Sequence, residues 1–350
     1  MNIDQLDYEL PSELIAQDPA AVRSESRLLV LDRATGKLTD TRFSRVGDLL
    51  RPGDCLVLND TRVLPARFFT RRQTGGRLEG LFLHTAEMPE VWEVMLRGWR
   101  RLKVNEQIWL ESRDGRGYCL AEVLAKKPDG VCLLAVRGKP NPEAVLAEIG
   151  FPPLPPYIHR DRDPDKALVD RERYQTVYAR HPGAIAAPTA GLHFTQELIR
   201  HLQEQQVRFA RVTLHVGAGT FKPIATERVE DHPIHHEWYR IDEENAPVIN
   251  AARDGGGRIV AVGTTAVRTL ETGDDAGRVR PGAGTTNLFI TPGYTFKIVD
   301  AMITNFHLPR STLLALVAAF AGLEEIHRAY RHAIEQRYRF YSYGDAMLIL

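Results

Sequence analysis

The chain has 350 residues, of which 43% are hydrophobic and 26% charged, and its 45 Lys and Arg residues balance 45 Asp and Glu residues. This composition is typical of a soluble globular protein, and no apolar run approaches the roughly 18 residues of a membrane span. A nucleic-acid partner would therefore be held by local basic patches. The acidic amino terminus and three scattered cysteines lead us to expect a cytoplasmic protein.

Within the first 150 residues, the pattern of predicted secondary structure changes once. Two apolar strands, L-L-V-L-D and C-L-V-L-N, are followed from about residue 60 by short strand-like runs separated by turns, with no helical pattern between them. Six such runs predict a small β-barrel. They are V-L-P-A-R-F-F, L-E-G-L-F-L-H, V-W-E-V-M-L-R, Q-I-W-L-E, Y-C-L-A-E-V-L and V-C-L-L-A-V-R.

After the proline-rich segment 151–157, helices and strands alternate. A helix capped by Thr195 precedes the strand F-A-R-V-T-L-H-V, and a helix ended by Gly255 precedes R-I-V-A-V. Alternation of this kind predicts an α/β sandwich. We therefore predict a discontinuous α/β domain, residues 1–59 and 150–350, interrupted by an all-β barrel domain, residues 60–149. The cleft between them is the expected site.

Three segments combine a histidine with glycine, proline or hydroxyl residues. The most informative is V-T-L-H-V-G-A-G-T-F-K-P at 212–223, where a strand ends in glycines that allow positive φ and close approach of a ligand. The others are A-A-P-T-A-G-L-H-F-T at 186–195 and N-F-H-L-P-R-S-T-L at 305–313. The candidate residues are Thr189, Gly191, His193, His215, Gly217, Gly219, Thr220, Lys222, Asn305, His307 and Arg310.

Two further segments carry titratable groups. Asn59, Asp60 and Arg62 follow a strand, where a carboxylate and a guanidinium can bind ribose hydroxyls or orient a base, or else form an ion pair at a domain hinge. The loop 231–239 contains His235 and Glu237. Because its proline disturbs the helix that zinc signatures require, we favour proton transfer over a metal site, with a solvated loop as the alternative.

A strand, a tight turn and a helix meet at Gly263, Thr264 and Thr265, with Arg268 one turn into the helix. The amino end of a helix binds anions, so this turn could hold a carboxylate, although many α/β connections look similar.

Two basic clusters suit RNA phosphates. One lies in the barrel, and the other in a C-terminal helix, 327–341, with interleaved aromatic residues. A solvated helix face is the alternative for the second cluster. The predicted tRNA-binding residues are Arg97, Arg100, Arg101, Arg328 and Arg331.

Several of these strings together resemble one family. N-D-T-R-V-L-P-A-R, A-P-T-A-G-L-H-F-T, T-L-H-V-G-A-G-T-F-K-P, V-G-T-T-A-V-R-T-L-E, N-F-H-L-P-R-S-T-L and Y-G-D-A-M-L-I are similar, in order over nearly the whole chain, to S-adenosylmethionine:tRNA ribosyltransferase-isomerases of queuosine biosynthesis. Ile234 and Ala266 depart from the family pattern, but neither departure removes a catalytic group.

The resemblance implies an α/β domain interrupted by a β-barrel, and an enzyme that uses S-adenosylmethionine as a ribosyl donor. The acceptor would be the aminomethyl group of 7-aminomethyl-7-deazaguanine at the tRNA wobble position, and the products epoxyqueuosine, adenine and methionine. No metal and no bound redox cofactor are expected.

Such a reaction needs a proton donor at adenine and a base beside the sulfonium, so titratable groups must converge. Our hypothesis assigns His215 and Glu237 to proton transfer, with His193, His235 and Asp60 as further candidates. Asp60 and Arg62 would hold the ribose or acceptor base, and the turn 263–268 the methionine carboxylate. A neutral chain without heptads leads us to expect a monomer.

Two other functions remain open from sequence. A glycine-rich turn after a strand also occurs in S-adenosylmethionine-dependent RNA methyltransferases. A non-catalytic tRNA-binding module with structural histidines is the second alternative.

Overall fold

A computed structural model describes residues 1–128, 130–139, 141–160, 164–217, 219 and 224–350. Its strands are β1 (Arg27–Leu31), β2 (Leu38–Arg42), β3 (Cys55–Asn59), β4 (Thr61–Val63), β5 (Arg67–Arg72), β6 (Arg77–Thr85), β7 (Val91–Leu96), β8 (Gln107–Glu111), β9 (Gly117–Lys126), β10 (Val131–Val136), β11 (His181–Ala184), β12 (Arg208–Leu214), β13 (Glu237–Ile241), β14 (Ile259–Val262), β15 (Asp274–Asp275), β16 (Arg278–Val279), β17 (Gly282–Thr286), β18 (Ala301–Asn305) and β19 (Ala346–Ile349). Its α-helices are α1 (Pro142–Ile149), α2 (Pro164–Arg173), α3 (Gln196–Glu204), α4 (Asn245–Asp254), α5 (Thr264–Thr272), α6 (Thr312–Ala321) and α7 (Leu323–Glu335).

The largest sheet runs in the order β17-β13-β12-β3-β14-β18-β19-β1-β2. Its centre is parallel, since β12, β3, β14 and β18 all pair in that sense. Strands β3 and β14 are buried along their whole length, as expected when both faces of a parallel sheet are covered. Val57 and Ala261 pack with α4 to α7 on one face, while Leu56 and Val260 pack with α3 on the other. The predicted α/β sandwich is confirmed.

The six barrel strands close in the order β10-β7-β6-β5-β8-β9, with every pair antiparallel. Alternate side chains such as Phe68, Trp92 and Ile108 fill its interior, and the buried face of α1 joins the same core. The predicted barrel is confirmed, and it is inserted between β3 and the later α/β elements. A short parallel pair of β4 with β11 lies at the junction.

The C-terminal segment differs from the prediction. The helix ends at Glu335, and Tyr338, Phe340 and Tyr341 beyond it are buried in the core of the α/β domain. The interleaving of arginine and aromatic residues along 327–341 therefore reflects core packing after a turn. The prediction of a base-stacking surface in this segment is wrong, because these aromatic side chains are buried. Among the described residues, no helix has the length and apolar character needed to cross a membrane.

Candidate active site

The carboxyl ends of the central parallel strands meet at one edge of the sheet. Asn59 ends β3, His215 directly follows β12, Gly263 follows β14, and Asn305 ends β18. Ligands of open α/β sheets bind at this edge. The segments predicted to carry chemistry are thus brought to one region by the topology.

Asn59 connects the elements at this edge through hydrogen bonds. Its Nδ2 donates to the Leu214 carbonyl and to Thr265 Oγ1, each at 3.0 Å. Its Oδ1 accepts the amides of Leu214 and Thr61 at 3.0 and 3.1 Å. An amide side chain has two N–H donors and one carbonyl oxygen with two lone pairs, so this set is complete. Asn59, predicted to bind substrate, is therefore committed to holding three elements in place.

His215 and Glu237 lie on opposite faces of the β12–β13 pair. Leu214 pairs with Tyr239, and the amide of His215 donates to the Trp238 carbonyl at 3.0 Å. Side chains alternate along a strand, so His215 shares a face with Trp238 while Glu237 projects to the other. The two groups that the sequence-based hypothesis assigns to proton transfer therefore lie on opposite faces of the strand pair.

Glu237 is buried against Arg268. The carboxylate pairs with the Arg268 guanidinium and accepts the Gly217 amide at 2.9 Å. Arg268 Nε donates to the Leu288 carbonyl at 3.1 Å, whereas its buried Nη2 has no hydrogen-bond partner among the described residues. Arg268, predicted with the turn 263–268 to hold the methionine carboxylate, is the partner of Glu237, and its Nη2 has no partner among the described residues.

A pocket opens beside this ion pair. Leu288, Ile290 and Leu316 supply apolar walls, and His235 lies at its exposed side. A side chain at Gly219 would require the His235 ring to shift. Thr220 and Lys222, predicted site residues of the same segment, lie outside the described residues.

A second pocket adjoins the first, and Leu313 lines both. The amino end of α5 faces it: Gly263 precedes the helix at φ +89°, which favours glycine, and no side chain caps the first turn. The buried Asn305 Oδ1 lacks a partner within the described part of the chain. The polar lining residues include Thr189, Thr264, Thr265, Thr304, Asn305 and His307.

On the other face, His215 is held by three neighbours. Its Nδ1 lies 2.8 Å from Thr61 Oγ1, and its ring stacks on Trp238 with centroids 4.9 Å apart. The ring also covers Gly183, where a side chain would collide with it. Burial, assisted by His181, lowers the pKa of His215, so the imidazole is neutral near pH 7 and suited to accept a proton.

Asp60 is buried beneath the same face. Its Oδ1 accepts the Thr213 hydroxyl at 2.7 Å, and its Oδ2 lies 3.8 Å from His181 Nε2. Burial raises the pKa of the Asp60 carboxyl above its usual range, against the opposing charges of His181, Arg211 and Arg180. A carboxyl with a raised pKa is a candidate proton donor.

Two other predicted histidines have structural partners. His193 Nδ1 lies 2.7 Å from Ser26 Oγ and its Nε2 3.3 Å from Asn305 Nδ2. His307 Nε2 lies 2.7 Å from Thr304 Oγ1. Burial lowers the pKa of each imidazole to about 3, so neither carries a proton to donate as an imidazolium at neutral pH. Gly191 lets the adjacent backbone approach the Tyr178 hydroxyl closely.

The predicted arginines are dispersed. Arg62 is exposed and lines a groove between the α/β domain and the barrel. Arg310, predicted to bind substrate, instead pairs with Asp7 and Asp4 at 2.6 and 3.1 Å. Arg328 bonds Glu325 and the Gly36 carbonyl. The remaining predicted tRNA-binding residues are all exposed: Arg97, Arg100, Arg101 and Arg331.

Sequence reasoning missed His181, Gly183 and Trp238. H-P-G-A contains proline and glycine, which are depleted in strands, yet it forms β11 and pairs with β4. The sequence did carry a signal for Trp238, because side chains alternate between faces along the strand E-W-Y-R-I, which places Trp238 on the face opposite to that of Glu237. No cluster of three or more histidine, cysteine or acidic residues suited to a metal ion occurs among the described residues.

Comparisons with known proteins agree with this architecture. The family model described as "Queuosine biosynthesis protein" matches residues 3–349. S-adenosylmethionine:tRNA ribosyltransferase-isomerases from Trichlorobacter lovleyi and Acetivibrio thermocellus are 50% and 49% identical, each over 100% of both chains. The crystal structure of S-adenosylmethionine tRNA ribosyltransferase from Thermotoga maritima is 37% identical, with a TM-score of 0.56 over 99% of this chain and 100% of that one. This chain belongs to the family of S-adenosylmethionine:tRNA ribosyltransferase-isomerases, the queuosine biosynthesis proteins.

Proposed function

We propose that this protein transfers and isomerises the ribosyl unit of S-adenosylmethionine onto the aminomethyl group of 7-aminomethyl-7-deazaguanine at the tRNA wobble position. The products would be epoxyqueuosine in tRNA, adenine and methionine. The observation that carries the proposal is the identity of about half of all residues, over the full length, to relatives named for this activity. The two adjoining pockets at the carboxyl edge of the sheet support it.

S-adenosylmethionine would occupy these two pockets. The amino end of α5, which no side chain of the described residues caps, and Arg268 Nη2, which has no partner among them, offer donors to the methionine carboxylate. Leu288, Ile290 and Leu316 provide apolar contacts. Asn305 Oδ1, as an unpartnered acceptor, suits an ammonium or a ribose hydroxyl.

The chemistry needs a base for the proton beside the sulfonium and an acid for the departing adenine. Glu237, held by Arg268 and the Gly217 amide, lies at the pocket as a carboxylate base. His215, neutral because of burial, would accept a proton from the incoming amine. Asp60 lies with His215 on the opposite face from that pocket, so its carboxyl, with its raised pKa, would donate a proton to the acceptor base there and not to adenine. His235 remains a second candidate at the pocket mouth, whereas His193 would position Asn305.

The tRNA would be held mainly through its phosphates. Arg97, Arg100 and Arg101 are exposed on the barrel without ion-pair partners among the described residues, which is the form of charge that phosphates recruit. Arg331 would add a contact from α7. We further propose that the enzyme acts as a cytoplasmic monomer, with S-adenosylmethionine as a substrate and with no resident cofactor.

Product analysis tests the proposal. Purified protein would be incubated with S-adenosylmethionine and a tRNA carrying the aminomethyl-deazaguanine base, and the products measured by mass spectrometry. Adenine and methionine released together with a ribosyl-sized mass gain on the tRNA are expected. S-adenosylhomocysteine with a methyl gain would identify a methyltransferase instead, and tRNA binding without turnover would identify a binding module.

A further inference from the structure

The exposed face of the β12–β13 pair contains one aromatic side chain surrounded by cationic ones. We define the Trp238 face by Trp238, His215, His181, Arg180, Arg211 and Arg240. We propose that this face binds unpaired nucleotides of the acceptor RNA, with one base stacked on Trp238 and phosphates at the three arginines. The identity of that RNA as tRNA rests on the proposed function.

The register of the two strands brings these residues together. Thr213 pairs with Arg240, so Arg211 and His215, two residues to either side of Thr213, share its face with Arg240 and Trp238. On the neighbouring pair, His181 is opposite Thr61, whose hydroxyl contacts His215. Arg180, His181 and Arg240 line one open groove.

Trp238 is presented for contact. It is 39% exposed, although large aromatic side chains are usually buried, and its stacking on His215 fixes the plane of the indole. A fixed, exposed aromatic plane stacks with any nucleobase, which is how single-stranded nucleic acids are commonly held. The side chain therefore has the geometry of a stacking platform.

The charges of this face are available to a ligand. Arg180, Arg211 and Arg240 are exposed, and within the described residues none of their guanidinium groups has an ion pair or hydrogen bond. Many other surface arginines are paired, for example Arg278 with Asp254. Asp242, Glu243 and Glu244 line the same groove, and a polyanion bound there would avoid these carboxylates.

The position of the face matches a second substrate. Asp60 and His215 lie at its base, so a nucleotide stacked on Trp238 would end beside both groups. The pocket of Glu237 and Arg268 opens on the other face of the same strands. RNA could therefore be bound without entering the pocket assigned to S-adenosylmethionine.

The test is tRNA binding by variants in the absence of S-adenosylmethionine. Trp238→Ala should weaken binding about tenfold or more because the stacking partner is removed, whereas Trp238→Phe, which still stacks, should retain most of the affinity. Arg180→Gln with Arg240→Gln should make the slope of log K against log salt shallower by about 1.4, or roughly 0.7 for each single-strand phosphate that is no longer neutralised.

A matched control removes two charges from the opposite edge. Arg51 precedes β3 and Arg208 begins β12, both exposed, so Arg51→Gln with Arg208→Gln should leave the slope unchanged. Unchanged affinity of Trp238→Ala, or equal slopes for the two double variants, would overturn the inference while normal turnover left the proposed function standing. A wild-type protein that binds no tRNA would overturn both. Thermal unfolding of each variant checks that the fold is kept.

Discussion

The charged groups on the two faces of the β12–β13 pair differ in burial and in pairing. On one face Glu237 and Arg268 are buried and neutralise each other beside a pocket. On the other, Arg180, Arg211 and Arg240 are exposed beside Trp238. Alternation along a single pair of strands thus separates a desolvated site, suited to a small molecule, from a wet surface, suited to a polyanion.

The largest effect is expected at the buried face. Glu237→Gln replaces the base with an amide and leaves Arg268 buried without its carboxylate, so kcat should fall about 10² to 10⁴-fold. Breaking a buried ion pair should also cost about 3 to 5 kcal/mol of stability. Steady-state kinetics and urea unfolding measure the two effects.

Glu325→Gln is the matched control for Glu237→Gln, because Glu325 forms an exposed pair with Arg328. Pairs of this kind contribute about 0 to 1 kcal/mol. We expect near-normal kcat for the control. Turnover of Glu237→Gln close to that of the wild type would remove Glu237 from the mechanism.

On the exposed face, His215→Ala should lower kcat by about 10² to 10⁴-fold, toward the smaller end because Asp60 remains nearby. Binding of S-adenosylmethionine should be largely kept, since its pocket lies on the other face. The measurement is kcat against KM for both substrates. A rise in the KM for S-adenosylmethionine with unchanged kcat would contradict the assignment of the two faces.

The basic clusters should differ in their effects on tRNA affinity. Substituting Arg97, Arg100 and Arg101 by glutamine should weaken binding and flatten its salt dependence, by about 0.9 in slope for each duplex phosphate that is no longer neutralised. Substituting Arg328 and Arg331 should have a smaller effect, because Arg328 is engaged by Glu325 and Gly36. Equal changes in slope per substituted arginine would show that engagement of the guanidinium by other groups does not decide tRNA binding.

The smallest effect concerns the pH dependence of stability at His193, which is buried against Phe43. Below pH 6.5 the unfolded chain protonates His193, but the folded protein does not until about pH 3. Stability should therefore be complete above pH 6.5 and decline as the pH falls toward 3, each unit costing about 1.4 kcal/mol at most. Urea unfolding of the wild type and His193→Gln at pH 7 and pH 5 tests this, since the variant should decline less. Parallel declines would exclude His193 as a source.

Much of the fold follows from local signals. Alternating runs and turn residues predicted the barrel strands, and Thr195 caps α3 as expected because its hydroxyl accepts the Leu198 amide. The site was harder to predict. Glu237 and Arg268 are 31 positions apart in sequence and are brought together by the folding of the sheet. The hydrogen-bonding groups of the Asn59 side chain are used by partners from three elements. Such long-range partners leave no local pattern.

The hydrogen bonds of Asn59 separate the framework of the site from its apolar wall, so that each can be changed independently. Asn59 links β3, β12 and α5 by bonds that involve no residue of the apolar pocket wall. That wall comes from Leu288, Ile290 and Leu316, in a loop and in α6. Donor selectivity can therefore be redesigned by reshaping the wall, for example to accept sulfonium analogues, while the framework that aligns the reacting groups is left intact.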